Sequence, residues 1–386
     1  MASERACLLI ADISGYTSYL AGVELDHAHD ILADLMGTIV TALRPGFRLA
    51  KLEGDAAFTY AITETIDGSL LLDTIERCYF SFRRRRRDVR QATSCECNAC
   101  VRIPDLNLKF VVHHGTILRQ RVANREELLG SDVILAHRLL KNDVVASMGI
   151  EAYALFSQPC VDAMDVEVSA LGMLATSETY EHIGTVPVWA HDLGRRWEEE
   201  ESRTRIRVDE RDAAYSHAAP TQAPPQVAWE FVTTPGRRVA WQLGVTAVDV
   251  IATGNRRGVG TTNHCMHGKE ASIEELLDWR PYDYFTFRNT VPTPMGPVRM
   301  LATTEFEPTS TGTRIHMRFA APKAAKERAI VEQMAPFLDE VMRTSAARLA
   351  EQLDEELERR DRDAPEEPDL PRPRPKGVLA ALPPGA

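Results

Sequence analysis

The sequence predicts an α+β protein of two domains, and three observations carry that prediction. The chain has 386 residues, 44% of them hydrophobic, which is too long for one ordinary core and enough apolar material for two. Its first half alternates strand and helix patterns in a β-α-β-β-α-β order, in which helices cover a sheet. Its second half runs through several strand patterns and closes on one long amphipathic helix.

In the first half, residues 7–13 (CLLIADI) form an apolar run ending in an acid, as a buried strand does. A helix follows over 24–43, with Ile31, Leu35 and Ile39 on one face, and Pro45-Gly46 punctuates it. Residues 48–62 read as two strands turning at Glu53-Gly54-Asp55. Asp67 is placed to cap a helix running through Ile75 and Phe82, and Ser131 to cap another through Leu140. Residues 106–115 make a strand and 180–193 a last one, while the charged segment 196–204 reads as a linker.

The second half opens near Arg205, and Pro224-Pro225 leads into a short helix. Strand patterns follow at 243–252, 258–267, 272–279, 283–290, 297–307 and 312–319. The closing helix, 322–360, carries an apolar stripe of Ile330, Met334, Phe337, Val341, Leu349, Leu353 and Leu357, with Pro336 set to kink or break it. Residues 361–386 are rich in proline and acid and read as a disordered tail.

The net charge is -11, which argues against a non-specific grip on nucleic acid or anionic lipid, since both are polyanions. The basic run Arg83–Arg87 reads as a solvated helix face. No run approaches the ~20 apolar residues that span a bilayer. The stretch Cys7–Ala11 is too short for a secretion signal, so the expected location is the cytoplasm.

Two acids stand out. Asp12 ends the first strand and is followed by Ser14, Gly15, Tyr16 and Thr17; Asp55 sits at a hairpin tip. Carboxylates brought together from neighbouring strands suit Mg²⁺, which prefers oxygen ligands and phosphate co-ligands. Gly15 would admit a polyphosphate close to the backbone, and a helix start there would offer free N–H groups. Taken singly, each acid beside a glycine is ordinary turn chemistry.

In sequence order, ADISGYT, KLEGDAAF, VVHHG and LLGSDVILAHRLL resemble the class III nucleotide (adenylate/guanylate) cyclase domain over residues 1–195, in a cysteine-containing subfamily. The resemblance implies a ferredoxin-like domain. It implies Mg or Mn held by Asp12 and Asp55, a purine read by Lys51 and Glu127, and phosphates steadied by Arg138. It also implies a homodimer whose sites combine the acids of one subunit with the Lys and Arg of the other. Ile134 stands where the family carries its transition-state asparagine, and isoleucine donates no hydrogen bond. Losing one such donor commonly costs ~10²–10³ in rate.

Cys95, Cys97 and Cys100 offer three thiolates in six residues, with Cys78 or a histidine as a fourth ligand. Zn²⁺ is favoured; free thiols, a redox pair and an Fe–S cluster are the alternatives. His113 and His114 read as a sheet-end turn.

Residues 205–360 resemble the START-like (SRPBCC) superfamily of polyketide cyclases and lipid-transfer proteins, on Trp229, Phe231, Pro235–Trp241 and the strand-rich run before the long helix. That implies a helix-grip (Bet v 1-like) fold around an apolar cavity. Asn263, Cys265 and His267 share one strand face; with Trp279 and Phe285 they are the cavity candidates, and core packing is the plainer role for the two aromatics.

The expectation is a nucleotide-responsive signalling protein that binds a purine nucleotide in an incomplete cyclase site and a lipophilic molecule in its second domain. A working nucleotidyl cyclase, or a small-molecule carrier with a non-binding cyclase-like scaffold, are the alternatives. The sequence leaves enzyme activity open.

Overall fold

The computed structural model describes residues 3–92, 95–122 and 125–362. These form two compact units that meet at residues 203 and 204 of the chain. Most of the tail expected over 361–386 lies outside the described residues, although Asp361 and Arg362 end a helix.

In the first unit, β1 (Glu4–Ser14) is followed by the short α1 (Tyr16–Leu20) and by α2 (Leu25–Leu43). The hairpin β2 (Arg48–Glu53) and β3 (Ala56–Ile62) leads to α3 (Gly68–Ala92), then to α4 (Asn98–Val101) and β4 (Asn107–Val122). The sheet order β2-β3-β1-β4 is that of a ferredoxin-like core, and its pairs run antiparallel. The chain continues through β5 (Arg125–Leu129), α5 (Ser131–Leu139), α6 (Val144–Met148), β6 (Tyr153–Ser157), α7 (Gln158–Ala163), β7 (Leu174–Tyr180) and β8 (Gly184–Asp192). β6, β8 and β7 extend the sheet beyond β4, with β6 parallel to it.

β1 is buried on both faces. Its Cys7, Leu9, Ala11 and Ile13 pack with Leu35 and Ile39 of α2 and Ile75 and Phe82 of α3. Its Ala6, Leu8 and Ile10 pack on the opposite face with Val133 and Ala136 of α5. A period of two makes both faces from one run of sequence.

Several local expectations change. β4 runs seven residues past Gly115, because β1 pairs with it as far as Ile117 and β5 pairs with its far end. Ser131 begins α5 without capping it; the neighbouring Asp132 carboxylate accepts from Thr116 N instead, at 2.6 Å. The segment expected as a linker is α8 (Leu193–Ser202), capped by Asp192, whose carboxylate accepts from Arg195 N at 2.9 Å. The basic run is a packing face rather than a solvated one. Arg85 pairs with Asp34 on α2, Arg84 lies 3.8 Å from Glu200 on α8, and Arg83 stacks over Trp197.

The second unit begins with β9 (Ala213–Thr221), α9 (Pro225–Thr233) and α10 (Pro235–Trp241). Six strands follow: β10 (Ala247–Ile251), β11 (Thr262–His267), β12 (Glu270–Arg280), β13 (Tyr284–Val291), β14 (Val298–Pro308) and β15 (Thr313–Ala320). They form one antiparallel sheet, ordered β10-β11-β12-β13-β14-β15-β9, and α11 (Ala325–Arg362) closes the unit. α11 runs through Pro336 without a break. Its apolar stripe is buried at two ends, at Ile330 and at Leu349 and Leu353, whereas Phe337 is 59% exposed.

The core of this unit has an aromatic end and a charged one. Trp229 of α9 is fully buried and meets Trp279, Phe306 and Phe285 at ring separations of 4.7, 5.3 and 5.7 Å. Toward α10, Arg238 reaches Glu274 of β12 through two hydrogen bonds of 2.7 and 2.8 Å, and both residues are buried. Burial pushes the Glu274 carboxyl up, but Arg238 outweighs it and holds the group below its ordinary value.

Two substitutions test this description by denaturant unfolding of the full chain. Trp229→Ala empties the aromatic cluster and is expected to cost about 3–5 kcal/mol. Glu274→Gln leaves the Arg238 guanidinium buried without its counter-charge and is expected to cost a similar amount, about 3–5 kcal/mol.

Candidate functional site

The strand order places the two acids side by side. Asp12 closes the row of β1 residues that faces α5, and Asp55 begins just past the β2–β3 turn, where Gly54 adopts φ 69°. The backbone N–H of Ile13 donates to Asp55 O at 3.0 Å, tying the two segments together. Burial, and next the charge of Asp12, push the Asp55 carboxyl above its ordinary value. Lys109, directly opposite Asp12 on β4, puts its Nζ 3.1 Å from Asp12 Oδ2. Sequence reading missed this lysine; its signal is its position, six residues before Gly115 on the partner strand.

Gly15 is required by its own surroundings. It has φ 86°, and a Cβ there would lie 2.8 Å from the carbonyl oxygen of Asp105. The close approach expected of a phosphate is therefore already made by the loop before β4. Ser14 ends β1, and Tyr16 and Thr17 open the five-residue α1.

The cationic residues assemble separately. Lys51, Glu53, Val133, Ile134, His137, Arg138 and Lys141 line an open cleft of about 440 Å³. Lys51 Nζ lies 2.8 Å from Glu53 Oε1, and His137 Nε2 lies 3.0 Å from Glu53 Oε2. The bond to Glu53 raises the Lys51 pKa, with a smaller contribution from the charge of Glu127. Ile134 is 59% exposed in this cleft, an apolar side chain among charged ones. Asp12 and Asp55 do not line it. Glu53, His137 and Lys141 are the charged or titratable residues here that sequence reading passed over.

His113 and His114 are buried within β4 rather than at a turn. His113 Nδ1 lies 2.6 Å from Ser157 Oγ, and its Nε2 lies 3.3 Å from Asp132 Oδ1 without the alignment of a hydrogen bond. His114 bonds to Thr63 O at 3.0 Å and accepts from Arg5 at 2.9 Å. Both hold strands together.

All seven cysteines are thiols. Cys95, Cys97 and Cys100 converge with His27, the four ligand atoms lying within 4.8 Å of one another. Cys78, expected as a fourth ligand, sits on the core face of α3, fully buried, with Sγ 3.8 Å from Ile39 O. Helix periodicity turns it toward α2's packing face, and a histidine, the other fourth ligand expected, is brought to the three thiols as His27.

In the second unit, Asn263 Nδ2 donates to Glu274 Oε2 at 3.1 Å, which sets Asn263 on the inward face with Arg238. Cys265 shares that face and is fully buried, its thiol pushed up to about 12 by burial. His267 ends the strand, exposed, 3.3 Å from Ser272 Oγ. Trp279 and Phe285 belong to the aromatic cluster around Trp229. Asn289, opposite Glu274 on β13, carries a buried Oδ1 without a hydrogen-bond partner among the described residues.

Among the described residues, no helix is long and apolar enough to cross a membrane. Residues 213–354 match the polyketide cyclase / dehydrase and lipid transport family, and residues 32–148 match a family of proteins of unknown function, DUF2652. Among solved structures, the guanylyl cyclase Cya2 aligns over 49% of this chain and 92% of its own, at 16% identity and a TM-score of 0.37. The adenylyl cyclase CyaB from P. aeruginosa aligns over 50% and 95%, at 13% identity and 0.33. Protein MLL2253 from Mesorhizobium loti aligns over 35% and 95%, at 17% identity and 0.29. The fold assignment rests on the strand orders themselves. Among curated proteins, the uncharacterized protein Rv2561/Rv2562 of Mycobacterium tuberculosis is 35% identical over 162 residues, 42% of this chain and 73% of the relative. The chain belongs to the same family as Rv2561/Rv2562.

Proposed function

We propose that this is a nucleotide-responsive signalling protein whose first unit binds a purine nucleotide with Mg²⁺ or Mn²⁺ and turns it over weakly or not at all. The observation that carries this reading is the combination of a closely held acid pair with a cationic cleft in which Ile134 stands where the resembled cyclase family carries an asparagine. Asp12 and Asp55 offer hard oxygen ligands, and burial, with the charge of Asp12 second, raises the Asp55 pKa, so a cation between them would relieve both causes. The donor set therefore fits one hard divalent cation, with Lys109 as a fixed counter-charge on Asp12. When bound, such an ion would polarise phosphate oxygens and activate a hydroxyl.

The chain's own residues supply the rest. Lys51, oriented by Glu53 and within the field of Glu127, would meet the purine edge. Arg138 and Lys141 would attract the phosphates. Ile134 offers no hydrogen bond to developing charge, so binding is retained while turnover falls by about 10²–10³. The acids do not line the cationic cleft, so one nucleotide would draw on two copies of the chain, as a homodimer. The cysteine set would take zinc as a separate structural ion. In the second unit, the helix-grip interior would hold a lipophilic small molecule, with Asn263 and Cys265 on its inward face. A working nucleotidyl cyclase is the second reading, favoured by the retention of both acids.

Incubation with ATP or GTP and Mg²⁺ or Mn²⁺ tests the first unit, with cyclic nucleotide read by mass spectrometry and binding by thermal shift. The expected result is a shift lost in Asp55→Ala and Lys51→Ala, with product at or below about 1% of a complete site's rate. Ile134→Asn is expected to raise the rate. No shift at high nucleotide concentration would overturn the reading, and fast product formation would move it to the second.

The acid pair makes a separate pH prediction. A carboxyl whose folded pKa is raised destabilises the fold when ionised; that cost begins to fall as pH drops through the folded value and is gone below the ordinary carboxyl value. Asp55→Asn is therefore expected to raise the thermal midpoint at about neutral pH, by no more than about 2–4 °C for a partly solvated charge. The gain should disappear in acid. Mg²⁺ should raise the midpoint of the native chain and leave that of Asp55→Asn unchanged.

A further inference from the structure

The constellation that the nucleotide site leaves unused is His27 with the three cysteines. His27 lies on α2, 68 residues before Cys95, and its Nδ1 lies 3.2 Å from Cys97 Sγ, 3.7 Å from Cys95 Sγ and 3.9 Å from Cys100 Sγ. A tetrahedral zinc, with metal–sulfur bonds of about 2.3 Å and a metal–nitrogen bond of about 2.1 Å, sets nitrogen–sulfur edges of about 3.6 Å. The three observed separations bracket that length. All four ligand atoms fall within 4.8 Å of one another, the span of one ion. A two-iron cluster would place two ligands on each iron and spread the pairs further apart.

We infer that His27 Nδ1 and the Sγ atoms of Cys95, Cys97 and Cys100 hold a single Zn²⁺ ion, and that this ion clamps the segment leaving Asp12. The assignment rests on the zinc reading of the cysteine set above and adds its fourth ligand, its nuclearity and its mechanical role. Four protein ligands close the coordination sphere, so the ion is structural and offers no open position. Three thiols give up their protons to bind, and His27 binds as the neutral tautomer with hydrogen on Nε2.

The clamp follows from what the cysteine loop touches. Tyr19 Oη donates to Ala99 O at 2.8 Å, and Arg102 donates to Ser18 O at 3.2 Å. Ala99 N donates to the Glu24 carboxylate at 3.3 Å. A Cβ on Gly15 would strike Asp105 O. Residues 15–24 are thus held from one side by the segment 95–105, which runs between α3 and β4 through the single turn of α4 and a further turn at Ile103–Asp105. Ala99 and Ile103 anchor this segment in the core of the first unit, and a metal ion would fix its half-buried start at Cys95 and Cys97 to α2.

The test is metal analysis of the full-length chain purified without a metal-affinity step, followed by exchange with Co²⁺. The expected result is about one zinc per chain, and a cobalt form with thiolate charge-transfer bands and the strong visible bands of tetrahedral geometry. His27→Ala and Cys97→Ser should lose that metal, while Cys78→Ala should keep it. Native protein that takes up neither metal, that holds iron with sulfide, or that depends on Cys78 and not on His27 would overturn the site. Chelation followed by hydrogen exchange tests the clamp. Protection should fall in residues 15–24 and 95–105 and hold in 213–320; unchanged exchange at 15–24 would overturn it. No nucleotide enters either measurement, so the zinc centre stands or falls apart from the nucleotide reading.

Discussion

The first unit depends on the double burial of β1. A strand with helices on both faces must be apolar at every position, and residues 6 to 11 of this chain are (Ala-Cys-Leu-Leu-Ile-Ala). The first polar residue to follow is Asp12, and the period of two points it to the α5 side, in line with Leu8 and Ile10. The register with β3 and β4 then brings Asp55 and Lys109 to it. A slip of one residue would turn Asp12 toward α2 and dissolve the acid pair. The packing of the core and the placing of the charges are one constraint.

That constraint explains how much of this unit the sequence disclosed. The strands and helices that carry the sheet have strong periodicity, and their order could be read because each element is local. The acid pair was legible because Asp12 ends an apolar run and Asp55 follows a glycine at a hairpin tip. Lys109 was not, since a lysine in a strand carries no mark of the residue opposite it until the register is known. His27 escaped for the same reason: nothing in α2 points to a cysteine loop 68 residues away. Of the two fourth ligands the sequence left open, Cys78 or a histidine, helix geometry turns Cys78 into the core. Arg83–Arg87 and Leu193–Ser202 were misread together, because each looks solvated until it meets the other.

The second unit was legible as architecture and opaque as chemistry. Its strands follow one another in hairpin order, so the sheet could be anticipated from alternation and turns. The buried pair of Arg238 and Glu274 could not. Removing two charges from water is costly, and here two direct hydrogen bonds together with Gln242 and Asn263 offset that cost. Such a network is satisfied only by residues from α10, β11 and β12 together, and none of the three segments announces the others.

The separation of acids from cations in the first unit decides how a nucleotide site could be built at all. Asp12 and Asp55 are already compensated in part by Lys109, and Lys51 by Glu53, so each half is stable without its complement. A cation cleft that faced its own acids would collapse into ion pairs and leave no room for phosphate. Keeping the halves apart within one chain preserves the excess charge of each, and two copies related by symmetry would bring opposite halves together. On the proposed reading, the polyphosphate and its metal are then the bridge, and nucleotide binding is coupled to the pairing of the chains. Ile134, exposed in that cleft, contributes contact but no directed hydrogen bond, so the bridge can form while the step that would consume the nucleotide loses its support.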